Sequence, residues 1–328
     1  MTTLEGTHNY GYDDIYQLVS ATHPSQPAET FTYDPVGNRL SSADLTDWTY
    51  DNCNRLLGYD TTTFTYDDNG NTTGKTDPAG TTLYVYDYEN RLMAVRTPEH
   101  EADYVYDPFG RRLRKTVEGN STSFVYDNED IIRSIGSNDA HYFHGSGVDE
   151  PVALVAAGRT CFYTFDGLGS VSELTDSAGA LVESYSYDVF GGISVPSETE
   201  NQYTYTAREQ DRETKLYFYR ARYYNSRTGR FTTRDPIGFG GGPNFYVYVG
   251  NNPANYVDPT GMKCEGRWER QTWTRINFVC WCFWLCIPPE GCIWSGNPYG
   301  LPKTRGYVIH TGKDIESGDD CLCSPPSD

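Results

Sequence analysis

Two copies of Asp-Pro-x-Gly stand 23 residues apart in this 328-residue chain, Asp235-Pro-Ile-Gly238 and Asp258-Pro-Thr-Gly261. Two carboxylates brought together cannot both ionise cheaply, so one is held protonated while the other stays a base. The base can activate water and the acid can polarise a carbonyl, which is the chemistry of an aspartic protease. The same tetrapeptide is also a turn: Asp accepts from the backbone two residues on, Pro presets φ and Gly permits φ > 0. On spacing alone both readings stand.

A second group of reactive side chains follows. Seven of the nine cysteines fall after residue 262: Cys264, Cys280, Cys282, Cys286, Cys292, Cys321 and Cys323. Five of the six Trp fall there too. This spacing reads as a disulfide framework for a small domain with little core. Seven is odd, so one thiol stays free or bonds to another chain. The spacing does not fit Cys-x2-Cys zinc pairs, and no metal is expected. Residues 263–328 hold no His-Glu-x-x-His, P-loop or Gly-x-Ser-x-Gly sequence, and His310 is their one histidine, read as structural. The ten apolar residues Phe278 to Ile287 are too short to cross a bilayer as a helix. They fit a core strand of the disulfide domain, or insertion at a membrane interface, where Trp is favoured. Exposed in a cytosol such a run is an aggregation hazard, which suits a segment kept inside a shell.

The part that must position the aspartates has a different composition. Net charge is −19, almost all of it in the first 262 residues. That excludes sequence-independent nucleic-acid binding by this region, since a polyphosphate needs a surplus of Lys and Arg. Hydrophobic residues are only 37%, but aromatics are 15%, with 28 Tyr against 14 Phe, which argues for β structure rather than disorder. Tyr-Asp or a near relative recurs about every twenty residues, at Asp13, Asp34, Asp51, Asp67, Asp87, Asp107, Asp127, Asp166 and Asp188, with Tyr142-Phe-His144 a degenerate copy. Phe31-Thr-Tyr33-Asp34-Pro35-Val-Gly37-Asn38-Arg39-Leu40 is the clearest unit, and Tyr104-Val-Tyr106-Asp107-Pro108-Phe-Gly110-Arg111-Arg112-Leu113 repeats it. The aromatic pair at i and i+2 faces one side of a strand, and the Asp closes a turn. Each unit is therefore a hairpin, too marginal alone, that must stack on its neighbours. A calcium ladder along the aspartates is disfavoured, because the glycine-dense nonapeptide of a calcium β-roll is absent.

These units resemble the YD repeats of the Rhs family, which includes the toxin-complex C components and, more distantly, the teneurins. Asp166-Gly-Leu-Gly169-Ser-Val-Ser-Glu173 through Tyr187-Asp188-Val-Phe-Gly191 is similar to that family's late repeats. Tyr217-Phe-Tyr219-Arg220-Ala-Arg222-Tyr223-Tyr224 through Asp258-Pro-Thr-Gly261-Met262 is similar to its repeat-associated core, with Gly229-Arg230-Phe231 and Tyr246-Val-Tyr248-Val-Gly250-Asn251-Asn252-Pro253 inside it. The resemblance covers about 1–262 and stops where the composition breaks. It implies a mainly β fold: stacked hairpin repeats (1–200) forming part of a spiral β-sheet shell, a repeat-associated core (201–262), and a small Cys-rich segment (263–328) in the place of variable, often toxic, cargo. It further implies self-cleavage after the second Asp-Pro-x-Gly by Asp235, Asp258 and the adjoining Arg234, at Met262–Lys263. The family usually has Leu before the cut, so Met262 is a mild departure. Nine or ten units would build only part of a closed wall, and on that expectation the carboxylates need not meet.

The partners so implied are the chain's own C-terminal segment, an immunity protein and a secretion machinery; no cofactor is implied. The N-terminus has no basic region followed by an apolar run, so the expected location is outside the cell or on its surface by a route that reads no signal peptide, and the cytoplasm before export. Two other readings stay open: a non-catalytic surface adhesin or carbohydrate-binding module of the teneurin kind, and an inactive gene fragment. The Asp235/Asp258 pair beside a composition break is what an adhesin does not need.

Overall fold

The chain was described in a computed structural model, which covers residues 2–3, 6–24, 26–42, 44–137, 139–193, 201–262 and 265–266. Residues 1–267 form one compact unit. Lys263, Cys264, the later cysteines and the Phe278–Ile287 run lie outside the described residues.

The described fold is nearly all β, with no α-helix among the described residues. Fifteen strands, from Thr49–Tyr50 to Leu181–Ser184, follow one another in chain order as a single antiparallel sheet. Ahead of them, Asn9–Tyr12, Leu18–Thr22 and Glu29–Thr30 make a three-stranded sheet, and Thr32–Tyr33 pairs with Arg39–Ser41.

The Tyr-Asp pair builds each hairpin in three ways. Register shifts at the Tyr, as between Thr65 and Tyr66, Val105 and Tyr106, or Val125 and Tyr126, so a bulge bends the strand as it enters the turn. The Asp then closes the turn: Asp107 Oδ1 accepts from the Phe109 N–H at 2.8 Å and the Arg111 N–H at 3.0 Å, and Oδ2 accepts from Arg111 Nε at 2.7 Å. Asp34, Asp51, Asp67 and Asp87 repeat this with Asn38, Arg55, Asn71 and Arg91. Burial works against the Asp107 charge, but Arg111 and the backbone donors outweigh it and hold the carboxyl below its ordinary value.

The Tyr, finally, ties its repeat to the one before. The hydroxyls of Tyr33, Tyr50, Tyr66, Tyr106, Tyr126 and Tyr187 donate to the carbonyls of Leu18, Arg39, Leu56, Leu92, Arg112 and Val171 at 2.7–3.0 Å. The residue four past the Asp reaches forward, with the Arg55, Arg91 and Arg111 guanidiniums each 5.5 Å from the next repeat's Tyr66, Tyr106 and Tyr126 rings. A ring with a hydroxyl at its tip serves these six seams, which contributes to the excess of Tyr over Phe.

Residues 201–262 pack against this array. Glu209–Asp211, Leu216–Tyr219, Arg222–Asn225 and Arg230–Phe231 form a four-stranded sheet. One face sends Leu216, Phe218 and Tyr223 into a cluster with Leu92, Val95 and Tyr104 of the large sheet. The other packs Tyr217, Tyr219 and Tyr224 against Tyr205, Phe231 and Tyr248. A sheet buried on both faces shows no polar alternation along its strands, as in Leu216–Tyr219 and at Tyr223-Tyr224. Fully buried Arg112 of the large sheet pairs with Asp211 at 2.6 Å. Repeats along the array hold the segment: Asn251 Nδ2 donates to Gln17 Oε1 at 2.9 Å, the Thr72 N–H to Thr232 O at 2.9 Å, and the Tyr224 hydroxyl to Phe190 O at 2.8 Å.

Candidate active site

The two Asp-Pro-x-Gly tetrapeptides fold as turns of the same kind as the repeats. The Gly238 N–H donates to Asp235 O at 3.0 Å and the Ile237 N–H to Asp235 Oδ1 at 3.0 Å. At the second copy the Gly261 N–H donates to Asp258 O at 3.3 Å, and Asp258 Oδ1 accepts from Thr260 Oγ1 at 3.3 Å and the Met262 N–H at 3.1 Å. Turn and site are thus one arrangement, since the turn leaves Oδ2 of each Asp for another partner.

That partner is a single guanidinium. Arg222 Nη2 lies 3.0 Å from Asp235 Oδ2 and 3.3 Å from Asp258 Oδ2. The three side chains are 3%, 7% and 3% exposed for Arg222, Asp235 and Asp258, so water screens the pair poorly. Arg222 Nη1 donates to Phe245 O at 3.2 Å, Nε donates to Gly261 O, and the Phe231 ring centroid lies 3.5 Å from the guanidinium carbon. One cation between two carboxylates leaves one negative charge too many. Burial, opposed by Arg222 and aided by the Asp258 charge, pushes the Asp235 carboxyl up to about 6. Below about pH 6 Asp235 therefore keeps a proton beside the Arg222 guanidinium, as the acid of an acid–base pair must.

Two glycines are required for this packing. A Cβ on Gly241 would lie 2.5 Å from Asp235 Oδ2, and one on Gly261, where φ is +69°, would lie 2.1 Å from Tyr219 O.

Asp235 and Asp258 are brought together; Arg234 is not added to them. Its guanidinium carbon sits 4.8 Å from the Phe245 ring centroid. The arginine at the carboxylates is Arg222, which stands in the Tyr217–Tyr224 motif and not beside either aspartate in sequence. The available signal was its place at the head of the Tyr223-Tyr224 strand, since a guanidinium buried beside those rings calls for a carboxylate. Met262 follows directly on the Asp258 turn, and Tyr256–Val257 pairs with Glu265–Gly266. Neither Asp235 nor Asp258 belongs to a group of three or more metal-ligating side chains, and none occurs among the described residues.

The teneurin YD-shell family model matches residues 1–240. The chain is 32% identical over 292 residues to the tRNA3(Ser)-specific nuclease WapA of Bacillus spizizenii, an alignment that takes in 81% of this chain and 12% of that one. It is 29% identical over 301 residues to the double-stranded DNA deaminase toxin A of Burkholderia cenocepacia, covering 79% and 21% of the two chains. The chain thus spans between an eighth and about a fifth of these relatives' lengths. Among solved structures, the TcdB2-TccC3-Cdc42 crystal structure superposes with a TM-score of 0.50 at 21% identity, over 78% of this chain and 17% of that one, a likeness of fold. With a bulged hairpin at the Tyr-Asp pairs from Tyr12 to Tyr126 and a family match over most of its length, the chain belongs to the teneurin YD-shell family of Rhs-type repeat proteins.

Proposed function

We propose that this chain is the repeat-and-core portion of an Rhs-type toxin shell that cleaves itself at Met262–Lys263 and so frees residues 263–328 as its cargo. The observation that carries the reading is the convergence of Asp235 and Asp258 on Arg222, beside the backbone that leads into that bond. Asp258, which accepts from three donors, takes a proton from a water whose oxygen attacks the Met262 carbonyl carbon. Asp235 supplies its proton as the C–N bond breaks, leaving a carboxylate on Met262 and an amine on Lys263. Arg222 offsets the charge that remains on the pair.

The toxin names of the relatives support a toxic cargo, and with it export from the producing cell and an immunity protein that protects it. The repeats would serve to enclose the cargo, and the aromatic and cysteine-rich tail is a segment that gains from enclosure.

The pH profile tests the acid's identity. A group pushed up to about 6 is protonated below that value and loses its proton above it. Self-cleavage of pulse-labelled chain should therefore be fast at pH 5 and fall about tenfold per unit once pH passes well above 6. A rate that climbs steadily from pH 5 to pH 8 would remove Asp235 as the acid.

A further inference from the structure

Three consecutive carbonyls precede Met262, and three consecutive residues donate to them. Arg220 Nη1 donates to Pro259 O, the Ala221 N–H to Thr260 O at 3.2 Å, and Arg222 Nε to Gly261 O. The next carbonyl along the chain is that of Met262, the one attacked in the cleavage proposed above. The 220–222 stretch therefore lies along 259–261 as a binding strand lies along a substrate.

Arg220 has no contact with either aspartate of the pair among its described interactions, and its anchor lies in the repeat array. Its Nη2 is 2.8 Å from Asp149 Oδ1 and its Nη1 is 3.3 Å from Oδ2. Asp149 sits between the strands Ala140–His144 and Pro151–Ala156 of the large sheet, and Arg208 Nη1 grips the same Oδ1 at 2.6 Å. One guanidinium thus links a wall hairpin to the turn that presents the bond.

We propose that Arg220 is a positioning residue for self-cleavage: held by Asp149, it fixes the Pro259 carbonyl so that the Met262–Lys263 bond meets the aspartates in one register. This rests on the self-cleavage reading. The physical case is that a loop bond free to wander reacts slowly, and a displacement of about 1 Å costs about 10²-fold in rate. The link also makes the wall a condition for cleavage, because a 140–156 hairpin that has not folded cannot place Asp149.

The test is the first-order cleavage rate of the full chain after a pulse of cell-free synthesis, for wild type, Arg220→Ala and Arg220→Lys, with and without added guanidinium ion. Melting is read in the uncleaved Asp258→Asn background with and without Arg220→Ala. Removing Arg220 leaves Asp149 paired with Arg208, so melting should hold. Arg220→Ala should slow cleavage roughly 10–100-fold, keep the pH midpoint of the wild type, and speed up when guanidinium is added, while Arg220→Lys should be intermediate. Arg220→Ala cleaving at the wild-type rate overturns the clamp and leaves the aspartate pair standing. A slow Arg220→Ala that ignores guanidinium marks a structural role and overturns it as well. A wild type that stays whole removes both this inference and the self-cleavage reading beneath it.

Discussion

Asp258→Asn should leave the chain whole. The amide has the shape of the carboxyl, and its oxygen can still accept from the Met262 N–H, which lies 3.1 Å from Oδ1 in the native turn. What it cannot do is take a proton from water. Loss of a positioned general base costs about 10²–10⁴-fold in rate, enough to turn a chain that splits during expression into one purified intact. Because the turn survives, the variant should melt close to an uncleaved wild-type chain, so that loss of cleavage and loss of fold can be told apart. Cleavage by Asp258→Asn at the wild-type rate, followed on a gel over the same hours, would falsify the assignment of Asp258.

The second large effect is expected from Arg222→Met. Methionine fills much of the volume over Phe231 but offers no N–H to Asp235, Asp258, Phe245 O or Gly261 O. Two carboxylates are then buried face to face without the cation they share. Breaking a buried ion pair by removing one partner costs about 3–5 kcal/mol, and cleavage should cease. Arg222→Lys keeps the charge as a point but not the fork, so it should recover part of the stability and little of the cleavage.

The loss should also depend on pH, with a sign that follows from Asp235. Its carboxyl sits at about 6 in the fold against 3.8 ordinarily, so the folded state binds the proton more tightly than the unfolded chain does. That group's contribution is fully present below 3.8 and is lost as pH rises through about 6. Removing Arg222, the main influence that lowers the Asp235 carboxyl, extends the loss to higher pH. Urea unfolding at pH 5 and pH 8 should therefore find Arg222→Met much closer to wild type at the lower value. Equal destabilisation at both would mean that the guanidinium does not balance this pair.

How far the sequence could be read follows from which interactions are local. The hairpin of Tyr104 to Leu113 was legible because strand face, turn and closing Asp all lie within ten residues. The hydroxyl bond from Tyr106 to Leu92 O crosses to another repeat, and nothing in the spacing announces it. At the site, Asp235 and Asp258 stood out because their tetrapeptides fall within the stretch that resembles the family's repeat-associated core, whereas Asp34, Asp77 and Asp107 head the same tetrapeptide in the repeats. Arg222 did not, since its role exists only once 220–222 is laid along 259–261. Arg234, adjacent to Asp235 in sequence, lies past the end of the Arg230–Phe231 strand and faces Phe245 instead. The expected shortfall of repeats also failed to separate the carboxylates. Contacts from the first, a middle and the last repeat, through Gln17, Thr72 and Phe190, hold 201–262 in place. The disulfide framework of Cys264 to Cys323 lies outside the described residues and stays an expectation.

The most direct test of self-cleavage is the intact mass of the purified wild-type chain, with N-terminal sequencing of the smaller piece. The account predicts two pieces, residues 1–262 and 263–328, together heavier than the uncut chain by one water, the smaller beginning Lys263-Cys-Glu-Gly. A single uncut mass, or a cut at any other bond, would contradict it.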